Sequence, residues 1–122
     1  MKKVEAIIRP ERLQQVQDAL DALGVSGLTV TEVVGCGRQK GYTEQYRGAR
    51  ANISLLHKIK VEAVVPSDVV EPAVEAIVSS ARTGEEGDGR VFVIPIEESI
   101  RIRTGERGED SVRHETPVGW GH

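Results

Sequence analysis

The chain is short of cysteine and of aromatic residues and has no long apolar run, and each shortage removes a class of protein. Cys36 is the single cysteine, so no intrachain disulfide can form, no metal site can be built from several thiolates, and a reducing compartment is implied. Tyr42, Tyr46, Phe92 and Trp120 are the only aromatic residues. Three of them lie outside the segments with core periodicity, so the core must come from Val, Ile, Leu and Ala. They are also too few to stack bases across an RNA-binding sheet. No stretch approaches the ~20 apolar residues of a membrane span, and in MKKVEAIIRPERL the apolar run is short and broken by Glu5. A cytoplasmic protein without membrane insertion is expected. Excess basic charge is missing too: 16 Lys and Arg against 19 Asp and Glu leave a net charge of -3. That argues against direct nucleic-acid binding and confines any anion site to a local cluster. His57, His114 and His122 are scattered and no Ser or Cys has an evident base partner, so catalysis is not expected.

What is present is patterned. The 122 residues suit one domain. Val4, Ala6 and Ile8 alternate with Lys3, Glu5 and Arg9 as in a half-buried strand, and Pro10 then opens a helix carrying Leu13, Val16, Leu20 and Leu23, with Gly24 at its end. GLTVTEVVG, residues 27–35, predicts a second strand, and Ile59, Val61, Ala63 and Val65 mark a third. Ser67 or Asp68 can cap a second helix with Val70, Ala73, Val74, Ile77 and Ala81 on its apolar side, regular bonding starting near Pro72. VFVIPI, residues 91–96, reads as a short strand, at an edge or ending at Pro95. The order βαββαβ predicts an α+β, ferredoxin-like split βαβ sandwich, with both helices on one face of a single sheet. The other face would meet water or another subunit.

Three segments concentrate polar chemistry. GCGRQKG, residues 35–41, joins glycines to Arg38 and Lys40, either as a ligand-contacting loop or as a hairpin with solvated cations. TGEEGDGR, residues 83–90, follows a helix instead of opening one, so it is no P-loop; it can make an anion-binding nest or an ordinary turn, and Asp88 can touch a ribose or metal or serve the turn itself. In RIRTG, residues 101–105, Arg101 and Arg103 would project to one side of an extended segment, holding phosphate between them or pairing with Glu97 or Glu98. Together they favour a polyphosphate ligand.

The blocks TVTEVVGCGRQKGYTEQYRG, KVEAVVP, TGEEGDGRVFV and IRIRTGE, in this order and spacing, resemble the PII nitrogen-regulatory signal-transduction family over residues 1–112. The resemblance implies a homotrimer whose clefts bind ATP or ADP, with 2-oxoglutarate beside ATP through Mg²⁺. It implies a T-loop at about 37–54, a glycine-rich loop at 82–90 and a C-terminal loop at 101–109, leaving 113–122 as an expected flexible tail. Nucleotide contacts would come from Thr29, Gly35, Gly37, Arg38, Gln39, Glu62, Val64, Thr83, Gly87, Asp88, Gly89, Arg90, Arg101 and Arg103. For 2-oxoglutarate the implied set is Gln39, Lys40, Gly41, Lys58, Glu86 and Gly87, with Gln39 also the Mg²⁺ ligand. Tyr46, Arg47, Arg50 and Ala51 would dock targets such as an ammonium channel, which would recruit the protein to the membrane, or glutamine synthetase. Three departures stand out. Ala51 and Ala49 replace the tyrosine and serine that other members modify. Glu86 stands where an apolar residue is common, so a nucleotide sensor with weak or no 2-oxoglutarate response is the alternative. The tail with Trp120 extends beyond most members.

Overall fold

A computed structural model describes residues 1–25, 27–38 and 53–113. Strand β1 (Lys2–Ile8) buries Val4, Ala6 and Ile8 and turns its intervening residues to the other side. Pro10 opens a 3₁₀ turn (Pro10–Arg12) that runs into helix α1 (Leu13–Asp21), as expected of a proline whose missing N–H falls in the first turn. Helix α1 buries Val16 and Leu20 and ends before Leu23, which is 40% exposed. Gly24, at φ 84°, takes the left-handed conformation just beyond.

Strands β2 (Thr29–Arg38) and β3 (Ile53–Val65) form an antiparallel hairpin in which Gly37 pairs with Ser54 and Arg38 with Ile53. The strands thus extend two residues into each end of the stretch expected as T-loop, and β2 starts at Thr29 instead of Gly27. Backbone pairing carries this extension, and apolar periodicity gave no sign of it. In the adjoining part of the hairpin Leu55 is 70% and Val34 57% exposed. A 3₁₀ turn (Ser67–Val69) leads into helix α2 (Val70–Ala81). Neither Ser67 nor Asp68 caps it through a side chain, and Pro72 lies in its first turn, where a backbone N–H has no helical partner. Strand β4 (Arg90–Pro95) follows, and a short helix α3 (Glu109–Val112) closes the described chain.

The sheet order is β2-β3-β1-β4, antiparallel throughout. This is the α+β, ferredoxin-like arrangement, with β4 an edge strand that ends at Pro95. Ile59, Val61, Ala63 and Val65 of β3 join the buried residues of β1, α1 and α2 in one core of Val, Ile, Leu and Ala. Register places Lys3, Glu5, Lys60 and Glu62 together on the opposite face. They form a line of alternating charge there: Lys3 approaches Glu5 at 3.4 Å and Glu62 at 3.7 Å, and Lys60 reaches Glu62 at 3.4 Å. Among the described residues no helix is long and apolar enough to cross a membrane.

Candidate functional site

Two polar centres lie at opposite ends of β1. The first gathers the end of β1, the start of the paired β3 residues and the loop before β4. Gly84, Gly87 and Gly89 all have positive φ in that loop. Gly89 is held closest: a β-carbon there would lie 1.7 Å from the Ile7 carbonyl oxygen, so the loop reaches the end of β1 only because position 89 carries no side chain.

Asp88 organises this loop. Its Oδ2 accepts the backbone N–H groups of Thr83 and Gly84, each at 2.8 Å, and its Oδ1 accepts the Thr83 hydroxyl and, at 2.9 Å, Arg9 Nε. The Thr83 hydroxyl, the Arg9 guanidinium and the backbone donors hold the Asp88 carboxyl far below the usual carboxylate range. The backbone donors of Thr83 and Gly84 are thus turned onto a carboxylate of the chain itself, the turn role weighed for Asp88. Arg9 also donates through Nη2 to the Glu86 carbonyl at 2.6 Å, and Lys58 Nζ donates to the Gly87 carbonyl. Glu86 itself is exposed. Arg9 was missed by sequence reasoning. Its available signal was Pro10, which keeps the preceding residue extended, here φ -68° and ψ 139°, and so holds Arg9 at the end of the strand.

The second centre is a cleft of about 750 Å³ whose lining includes Thr29, Glu62, Val64, Arg101, Arg103 and Ser111. The register that sets Thr29 opposite Glu62 builds one wall. The arginines come from a turn, not from the extended segment expected: Gly105 N–H bonds the Arg101 carbonyl at 2.7 Å and Arg101 N–H bonds the Glu106 carbonyl at 2.9 Å. Gly105, at φ 77°, permits that closure, so the two-residue periodicity of a strand does not apply. Both arginines line the cleft all the same. Arg101 Nη1 donates to Glu106 Oε1 at 2.9 Å, while Glu98 pairs with Arg107 at 3.1 Å. Glu106 is thus an acidic partner of Arg101.

The chain matches the family described as Nitrogen regulatory protein P-II over residues 1–106. It is 60% identical to the nitrogen regulatory protein P-II of Cereibacter sphaeroides and 54% identical to that of Azospirillum brasilense, in each case over 112 residues, 92% of this chain and 100% of the relative. The corresponding protein of Haemophilus influenzae is 52% identical over the same extent.

The chain belongs to the P-II family.

Of the positions expected from P-II resemblance, Thr29, Glu62, Val64, Arg101 and Arg103 gather at the cleft. Lys58, Thr83, Gly87, Asp88 and Gly89 gather at the opposite end, through the bonds of Lys58 to Gly87 and of Thr83 to Asp88 and the packing of Gly89 on Ile7; Arg90 follows there as the first residue of β4. Gly35 pairs with Leu56 part-way along the hairpin. Gln39, Lys40, Gly41, Tyr46, Arg47, Arg50 and Ala51 fall outside the described residues, as does the stretch from 114 onward. Among the described residues no group of His, Cys, Asp and Glu is arranged to hold a metal ion.

Proposed function

We propose that this P-II chain senses ATP or ADP and 2-oxoglutarate in a cleft completed by a neighbouring copy, and controls target proteins through its T-loop, residues 37–54. The observation that carries the reading is the separation of its two polar centres. The cleft wall at Thr29 and Glu62 and the loop contact at Lys58 lie four residues apart along β3, on the order of 13 Å at ~3.3 Å per residue. No residue of the loop before β4 lines the cleft of its own subunit. In a closed ring of identical copies, however, the cleft end of one subunit can face the loop end of the next. Three such composite sites per homotrimer follow.

The cleft volume suits a nucleotide-sized ligand, and Arg101 and Arg103 supply planar donors that match phosphate oxygens. The opposite end would add Arg90 and the backbone near Gly87 and Gly89. Mg²⁺ fits the donor chemistry through the side-chain oxygen of Gln39, since a hard cation takes oxygen ligands and those the protein lacks would come from phosphate and 2-oxoglutarate. Lys58 would pair with a carboxylate of the oxo acid. Differential ligand affinity for alternative arrangements of the T-loop would then set which partner docks, an ammonium channel or glutamine synthetase being the family-based candidates. The protein acts as a cytoplasmic binding switch and not as an enzyme.

A second reading, a nucleotide sensor with a weak 2-oxoglutarate response, is favoured by two features of the loop. Lys58 already donates to the Gly87 carbonyl, and the neighbouring Glu86 adds negative charge. Calorimetric titration with ATP, ADP and 2-oxoglutarate, with and without Mg²⁺, tests both. ATP binding with Mg²⁺-dependent 2-oxoglutarate binding is expected; ATP binding without it selects the second reading, and no nucleotide binding overturns both.

A further inference from the structure

Arg101 already has an occupant. Its Nη2 donates to the carbonyl oxygens of Ser111 at 3.2 Å and Arg113 at 2.9 Å, with the Asp110 carbonyl at 3.5 Å, while Nη1 takes the Glu106 carboxylate at 2.9 Å. These are the N–H groups that a phosphate would use.

The segment that supplies those carbonyls is fastened to the body of the domain. Glu109 accepts the Ser67 N–H at 3.1 Å and the Ser67 hydroxyl at 2.6 Å. Arg113 pairs with Asp68 at 3.2 Å. Ser111, Val112 and Arg113 consequently line the same cleft as Thr29 and Glu62. The described chain thus closes on its own anion site, with α3 as the closing piece.

We propose that α3 is an autoinhibitory contact: while docked it holds Arg101 through backbone carbonyls, with Glu106 as the competing anion, and a nucleotide's phosphates gain Arg101 only as α3 is released. This deepens the nucleotide-binding reading and rests on it. Two consequences follow from the linkage between docking and binding. The measured affinity for nucleotide is the intrinsic one reduced by the fraction of chains with α3 undocked. Nucleotide binding is also reported at the Ser67–Glu109 contact, which the ligand itself need not touch.

The test compares the unmodified trimer with Glu106→Gln, which removes the competing charge, and with the double variant Ser67→Ala, Glu109→Gln, which loosens the docking. Titration with ATP and with inorganic tripolyphosphate is combined with amide exchange over residues 109–113. Both variants are expected to bind ATP more tightly, by up to about fivefold, the factor by which a partly exposed ion pair shifts an equilibrium. In the unmodified protein, ATP should speed exchange over 109–113. Unchanged or weaker ATP binding in both variants, with increased protection of 109–113 on adding ATP, would make Arg101 a fixed brace and overturn the proposal. Failure of the unmodified protein to bind ATP at all would bring down the nucleotide reading, and the proposal with it.

Discussion

At the scale of single residues, the loop before β4 depends on one missing side chain and one carboxylate. Gly89→Ala would place a methyl group against the Ile7 carbonyl at a φ of 105°. The backbone strain alone is ~1–3 kcal/mol, and chemical denaturation should show at least that loss; an unchanged midpoint would mean that the loop can move off β1 without penalty. Asp88→Ala removes the acceptor of the Thr83 and Gly84 amides, so their hydrogen exchange should accelerate well before global unfolding. Because the Asp88 carboxyl is held below its ordinary range, this brace is complete above the unfolded carboxylate's titration range and weakens only as acid drives it toward the low folded value. Gln39 should behave differently. Gln39→Ala is expected to keep nucleotide binding and lose Mg²⁺-dependent 2-oxoglutarate binding, and calorimetry showing the oxo acid bound as before would remove Gln39 from that role. Loop glycines and Asp88 were visible as types in the sequence, but the pairing of Asp88 with Arg9 was not. A contact between residues 79 positions apart is set by β1 lying beside β4, and local spacing carries no trace of it.

At the scale of elements, core and edge obey different rules. Helix α2 contributes Ile77, 2% exposed, to the shared core, and Ile77→Ala should cost ~2–5 kcal/mol in denaturant unfolding. A much smaller loss would imply that α1 collapses into the space. Helix α3 is held by charge and hydrogen bonds instead. The Met1 amino group and then the Ser67 hydroxyl and N–H lower the Glu109 carboxyl from 4.5 to about 2. A depressed carboxylate stabilises the fold fully above its ordinary value, and that contribution is lost as pH falls from about 4.5 toward about 2. Protection of α3 amides should therefore decline over that window while α2 remains protected, and Glu109→Gln should abolish the difference. The four core strands and both long helices could be read from alternation and from 3.6-residue spacing. Helix α3 could not, because four residues without a buried side chain leave no periodicity; it stands on Ser67, which looked like a helix cap in sequence but is turned toward Glu109. The turn at Arg101 was misread for a related reason, since its geometry follows from Gly105 and not from the alternating side chains.

For the whole molecule, the proposal of a site shared between neighbouring copies makes a prediction that a site within one subunit would not satisfy. Arg103→Ala would damage the cleft end and Arg90→Ala the loop end, so each pure trimer should bind ATP poorly. Chains of the two kinds, unfolded and refolded together, should regain about a quarter of the sites, the chance that an intact cleft end meets an intact loop end in a randomly mixed ring. Light scattering would first establish the trimer, and titration of the mixture would count the sites. Recovery no greater than the sum of the separate variants would place the whole site within one subunit.

The thirteen residues of β3 have a further mechanical meaning. Its last residues are clamped in the core while its first pair with β2 beside the loop, so β3 is a strut on the order of 40 Å long at ~3.3 Å per residue. Lys58 sits part-way along it and grips Gly87. The same strand also supplies Ile59, Val61, Ala63 and Val65 to the core shared with α1 and α2, so one continuous backbone joins the packed interior to the far end of the hairpin.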